Sequence, residues 1–461
     1  MMLRILKKPC YRLSINWTAL VGSLMGKLPS VCLWLTVLSA LFGMGIMSQA
    51  IAQSAFFTAK RDKNALDQPL GNLQDEAMDS FILGKSFFTK PWVEAPASTT
   101  ARDGLGPLFN GNSCTSCHQN NGGGNSLLKS STDQSGKLHR SIAIKLNDPV
   151  YGSQIAVNAN YGVPFEASVW VEVAKTSFTF PDGQKITLSD PTFLLNNLQY
   201  GNLEAINTLS PRRAPMLTGL GLIDRIPESQ IRAYADPDDT DGDGISGKEN
   251  RVWSLKSKKW QLGRFGWKAS QPNILEQTAN AFFEDMSLTS TLYEDENCTS
   301  HQLKCMQAYH SQGIDVPDAR LEAVAFYLTN IKSPRAVETP HGKALFESIG
   351  CSSCHRSNYK LEDDLVVNPY SDFLLHDMGP NLRGGLPSFK ARPAEWRTAP
   401  LWGIGLAKKL NPDAGYLHDG RARTIEEAIL WHSGEASQSQ KNYSHLTPDE
   451  RTYILNFLDN L

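Results

Sequence analysis

Cysteine is scarce in this chain of 461 residues: there are eight, at positions 10, 32, 114, 117, 298, 305, 351 and 354. So few in so long a chain exclude a small disulfide-built scaffold. Acid is missing from the first 52 residues, which carry Arg4, Lys7, Lys8, Arg12 and Lys27 and no Asp or Glu. An excess of base is missing from the rest, where 40 basic residues face 47 acidic ones, a net charge of −7. That balance argues against nucleic acid as a partner. Long apolar runs are also missing after residue 52, so no later segment is expected to cross a membrane.

What the first 52 residues do have is a basic region, an apolar run from Val31 to Met47, and Ala50-Ile51-Ala52. This order describes a secretory signal peptide over 1–52, with the mature chain starting at Gln53 and the protein in the periplasm. Met25 is an alternative start, and an uncleaved membrane anchor is the alternative fate of the leader. Cys32 follows Pro-Ser-Val and does not resemble a lipoprotein site.

Two cysteine pairs have the same spacing: Cys114-Thr-Ser-Cys117-His118 and Cys351-Ser-Ser-Cys354-His355. C-x-x-C-H is the attachment sequence for c-type haem, in which two thiols add to the vinyl groups of one porphyrin and the adjacent histidine reaches the iron. A zinc knuckle would need a second ligand pair nearby, and a dithiol would not need the histidine. The cofactors expected are two covalent haems, with His118 and His355 as iron ligands. Of the remaining cysteines, Cys10 and Cys32 lie in the leader. Cys298 and Cys305 most simply form a disulfide in an oxidising compartment, a redox-active thiol pair being the alternative.

Along the chain, apolar periodicity predicts helices after Asp75, at Pro227–Tyr234, Asn273–Phe283 and Asp318–Asn330, and from Gly342 to Ile349. Short β-branched runs separated by Pro181-Asp-Gly predict a β-rich insertion at about 140–200. Ser333 to Pro340 reads as a linker. The domains expected are 53–335, with the insertion and an Asp-rich loop, and 336–461. Arg212-Arg-Ala-Pro-Met-Leu-Thr-Gly-Leu-Gly-Leu222 echoes Arg397-Thr-Ala-Pro-Leu-Trp-Gly-Ile-Gly-Leu406, which implies a duplicated unit. The fold expected is mainly α, two cytochrome c-like haem domains with a β-rich insertion in the first.

The haem motifs, together with Leu374-Leu-His-Asp-Met-Gly379, Glu395-Trp-Arg-Thr-Ala-Pro-Leu-Trp-Gly403 and Leu417-His-Asp-Gly-Arg-Ala422, resemble the di-haem oxidoreductase family, often labelled thiol oxidoreductase-like. Asp236 to Gly244 and Gly263 to Ala269 are similar to the same family. More distantly the chain resembles bacterial di-haem cytochrome c peroxidases and the related enzymes that mature methylamine dehydrogenase. In those relatives one haem passes electrons and the other meets peroxide.

The resemblance implies an oxidoreductase whose C-terminal haem feeds electrons to a reactive N-terminal haem. Its partners would be a cytochrome or cupredoxin-like donor and hydrogen peroxide; a carrier with no substrate chemistry is the alternative. Trp267 matches the tryptophan between the haems, and Gln277 with Glu284 or Asp285 matches the residues beside the reactive iron. Leu417 stands where the relatives place an axial methionine, which leaves Met378 and His418 as candidate sixth ligands of the second haem. Gly379-Pro-Asn-Leu382 resembles the loop whose proline carbonyl holds the proximal histidine. His139 is a candidate cap for the first iron. Separately, Asp239, Asp241 and Asp243 stand at positions 1, 3 and 5 of an EF-hand-like loop that ends on Asn250 rather than Glu, and they are candidate calcium ligands.

Overall fold

Helix α1 (Asp75–Thr89) begins with Asp75 and Glu76, acids that favour a helix N-terminus, and buries Phe81, Phe87 and Phe88. It packs on α2, the helix Asp318–Thr329, where the Tyr327 ring lies 5.0 Å from Phe81 and 5.3 Å from Phe88. The two backbones approach closely because residue 84 is glycine: a Cβ there would sit 1.9 Å from the Ala323 carbonyl oxygen. This pair forms one side of the core and holds the first haem motif, whose Thr115 hydroxyl donates to the Thr89 carbonyl at the end of α1.

The computed structural model describes residues 54–127, 141–204, 209–309, 311, 313–337 and 339–461. The leader and His139 lie outside them. Ser54–Leu461 forms one compact unit. Among the described residues no helix is long and apolar enough to cross a membrane.

The expectation of a mainly α protein is wrong. Among the described residues 31% are helical and 21% are in strands, spread over many small sheets. The β-rich insertion supplies part of this strand. Strand β1 (Ile142–Asp148) lies between β2 (Gly152–Gln154) and Ser210–Arg213. β3 (Ser168–Thr179) and β4 (Lys185–Asn196) make a hairpin in continuous register around Gly183. Short pairs elsewhere add the rest: Phe57–Thr58 joins Ser333–Pro334, and Leu375–Asp377 joins Glu395–Arg397. Outside the long helices, backbone groups pair with distant segments, as the Arg397 amide does with the Trp267 carbonyl.

The hairpin crosses onto the C-terminal part of the chain. Phe180, 2% exposed, packs in the cluster that holds Phe346, Tyr443 and Phe457. Arg451, on the last helix α3 (Pro448–Asn460), reaches back to Asp182 and Gln184 at the hairpin turn, at 2.5 and 2.7 Å.

The internal echo is structural as well as textual. Gly219 and Gly403 both adopt positive φ, 60° and 75°, immediately before a short helical turn. Two residues on, Gly221 and Gly405 let that turn touch a carbonyl near the end of a long helix, Thr329 of α2 and Asp459 of α3, where a Cβ would lie at 2.0 and 1.9 Å.

Candidate functional site

Each Cys-x-x-Cys segment forms one helical turn, Cys114–Ser116 and Cys351–Ser353. The amides of His118 and His355 donate to the Cys114 and Cys351 carbonyls, at 2.9 and 3.0 Å. Residues three apart on a turn share a face, so each thiol pair points the same way with a histidine beside it. None of the four thiols is in a disulfide, whereas Cys298 and Cys305 are bonded to each other. Burial pushes the Cys114 thiol up to about 12, helped by Asp285, and burial does the same to Cys351. Such thiols stay protonated, unlike the activated thiolate of a redox dithiol.

Both motifs open into one cavity of about 710 Å³, within the range of cofactor sites. Its wall is largely apolar, with Phe282, Leu328, Phe346, Ile404, Ile429 and Leu458 among its residues. His118 and His355 face it, and burial lowers each to about 4, so both rings are neutral and able to ligate iron. His355 donates its Nδ1 proton to the Tyr370 carbonyl at 2.8 Å, which leaves Nε2 for a metal. The expected proline carbonyl does not do this: Pro380 lies in a separate turn, Pro380–Leu382. His118 Nδ1 closes no hydrogen bond of good geometry, although the Pro215 carbonyl raises the basicity of the ring. Paired thiols beside neutral imidazoles in a largely apolar cavity fit haem on both sides.

The residues expected around the first haem reach the same cavity. Helix α4 (Ile274–Met286), capped by the Asn273 side chain on the Glu276 amide, carries Gln277, Glu284 and Asp285. Asp285 is held by Gln154, whose Nε2 donates to its carboxylate at 2.8 Å. Burial raises its pKa against the pull of Lys145 and Gln154, and its effect on Cys114 places it by the first motif. Glu284 is engaged otherwise, with Lys145 at 3.2 Å and the Ser153 hydroxyl at 2.9 Å. Lys145, Ser153 and Gln154 come from the β-rich insertion and had no sequence signal.

Trp267 also lines the cavity, and its indole donates to the Arg213 carbonyl at 2.6 Å. Arg213 in turn donates its amide to the His418 carbonyl and its side chain to the Leu417 carbonyl. These contacts knit the Arg212–Leu222 segment to the one that carries His418.

The two candidate sixth ligands, Met378 and His418, both line the cavity. His418 stacks on Trp396 with ring centroids 3.7 Å apart. Burial lowers it to about 3 despite Asp419, with Arg212, Arg421 and Lys268 adding to the effect. Two further histidines lie here that were not expected as site residues, His376 inside the Leu374–Gly379 motif and His432 outside every motif. His376 donates to Asp372 and Glu435, at 2.8 and 2.7 Å. Burial opposes its charge, but the two carboxylates hold it well above the ordinary value. His432 follows helix α5 (Ile425–Trp431) and lines the cavity.

The Asp-rich loop does not line this cavity. It brings Asp236, Asp239 and Asp241 together, each offering an oxygen within 4.8 Å of the others. Asp243 instead accepts the Ile245 amide, and Asp241 accepts that of Asp243.

The profile of the family described as "di-haem oxidoreductase, putative peroxidase" matches residues 47–165 and 152–461. Comparison with curated proteins and with solved structures gives no match.

Proposed function

The chain belongs to the di-haem oxidoreductase family, and from that premise we propose that it is a periplasmic c-type peroxidase-like enzyme, receiving electrons at the second haem motif and reducing hydrogen peroxide beside the first. Two haems would supply one-electron chemistry and an iron that binds peroxide. Cys114 and Cys117 would hold one covalently and Cys351 and Cys354 the other, with His118 and His355 presenting Nε2 to the irons.

The observation that carries this reading is Asp285, a half-buried carboxyl of raised pKa in the cavity beside the first motif. Reducing one peroxide to two waters breaks the O–O bond and consumes two electrons and two protons. A carboxyl that keeps its proton above the ordinary range, with one oxygen oriented by Gln154, suits proton delivery. Glu284, tied to Lys145, would act as a positioning residue, and Gln277, in the same wall, would orient the bound oxygen. Trp267 lies in the same wall and would carry electrons between the two sites.

Asp236, Asp239 and Asp241 are proposed to hold calcium, since clustered carboxylates repel unless a cation joins them. The basic and apolar leader supports export, and a cytochrome or cupredoxin-like protein is the proposed donor. The test is rapid mixing of the half-reduced protein with hydrogen peroxide. Consumption of peroxide with oxidation of the remaining reduced haem is expected. A protein with both irons low-spin in every redox state, and inert to peroxide, would be an electron carrier instead.

A further inference from the structure

We propose that His432 is the second axial ligand of the haem held by Cys351, Cys354 and His355, bound through its Nε2. This assignment rests on the di-haem reading above.

The tautomer comes first. His432 Nδ1 lies 2.8 Å from the Ala428 carbonyl, one helical turn back along α5. A carbonyl only accepts, so Nδ1 carries the proton and the lone pair is on Nε2. Metal-binding histidines are oriented in this way, by donating the other ring nitrogen to a backbone carbonyl. His355 has the same arrangement with Tyr370. The two rings therefore present matching lone pairs in one cavity. The segment that carries His432 also lies beside the second motif: Glu435, three residues on, accepts from His376 at 2.7 Å, and the same ring nitrogen lies 3.8 Å from the Cys354 sulfur.

The other side chains suit the position less well. Both nitrogens of His376 are taken by carboxylates. His418 is stacked on Trp396, and its carbonyl accepts the Arg213 amide, which ties it to the Arg212–Leu222 segment. Leu417, where the resemblance would place a methionine, has no ligand atom. Met378 is the real rival. Its carbonyl accepts the hydroxyl of Ser433, the residue after His432, so the thioether and the imidazole belong to neighbouring segments. A bis-imidazole iron has a lower potential than an imidazole–thioether iron, so the choice decides how reducing the electron donor must be.

The experiment uses the full-length holoprotein and compares His432→Ala, His432→Met and Met378→Leu with the parent by electron paramagnetic resonance, optical spectra and redox titration. Each sample is first checked for two covalent haems per chain. We expect the parent to show a low-spin bis-imidazole signal from one haem. His432→Ala should lose it to a high-spin signal and regain it with added imidazole, a rescue that separates ligand loss from misfolding. His432→Met should raise the midpoint potential of that haem, and Met378→Leu should leave the signal in place. An unchanged low-spin signal in His432→Ala, or its loss in Met378→Leu, would overturn the assignment while leaving the di-haem reading intact. Fewer than two covalent haems on the parent would overturn both.

Discussion

Trp267 donates its indole N–H to the backbone carbonyl of Arg213 at 2.6 Å, and the Arg213 amide donates to the carbonyl of His418. One residue thus ties a cavity aromatic to the segment that carries His418. Replacing Trp267 with Phe keeps an aromatic ring but leaves that carbonyl without its partner. A loss of about 1–3 kcal/mol is expected, the usual effect of an unsatisfied buried group. Thermal melting measures it. Peroxide binding should survive, and transfer between the haems, followed by stopped-flow absorbance, should slow.

Asp285→Asn keeps the shape and removes the proton. The peroxide step should slow by roughly 10²–10⁴-fold, the usual contribution of a positioned proton-transfer group. Stability should respond in the opposite sense. The folded pKa of Asp285 is raised from its ordinary 3.8, chiefly by burial. Its protonated form therefore stabilises the fold below 3.8, and that contribution fades as pH rises through the folded value. The variant should match or exceed the parent in stability at pH 8 and lose the advantage near pH 4. Denaturant titration at the two values checks the sign, and a variant less stable at pH 8 would contradict it.

Covalent attachment is checked by acid-acetone extraction, which should leave two haems on the polypeptide. Cys351→Ser with Cys354→Ser should release one of them and leave the haem on Cys114 and Cys117. His355→Gly should keep both attached and change the spectrum of the second iron alone. A spectrum unchanged at that haem would remove His355 as its ligand.

Arg451 is 2% exposed and bonds the Leu446 carbonyl, Asp182 and Gln184, with its guanidinium 3.9 Å from the Phe180 ring centroid. Arg451→Ala should destabilise the protein by on the order of 2–3 kcal/mol, as charge-assisted bonds and packing are lost together. The hairpin turn at Asp182 should then become more accessible to limited proteolysis. Cleavage elsewhere first would mean that the hairpin is held by its apolar tip.

Calcium is checked by metal analysis of the purified protein. One ion per chain is expected, weakened by joint replacement of Asp239 and Asp241 with Asn. Chelation should then alter the rate of transfer between the haems. No calcium in the parent, with redox behaviour indifferent to chelator, would dismiss the site.

Features confined to one turn or one periodic run were legible in the sequence. The two C-x-x-C-H turns are of this kind. So is Asp318–Thr329, expected one residue longer, and so is the strand-rich stretch that became β1 to β4. The family assignment followed from such local motifs and is supported by the matched profile. Periodicity spoke only for the long helices, however, and so the expected class was too helical. The two-residue pairing of Phe57–Thr58 with Ser333–Pro334 has no local signature, because its hydrogen bonds join distant parts of the chain.

The site divides in the same way. The sequence by itself determined the paired thiols, the adjacent histidines and the acids of Glu284-Asp285, since spacing along a turn decides which groups share a face. Only the tertiary structure decided that Tyr370 rather than Pro380 holds His355, that Lys145 occupies Glu284 and leaves Asp285 beside the first motif, and that His432 lines the cavity with its Nδ1 on the Ala428 carbonyl. The physical reason is that buried polar groups must find partners wherever the packed chain brings them, and that choice is made across the fold, by burial and hydrogen-bond satisfaction, not along the chain.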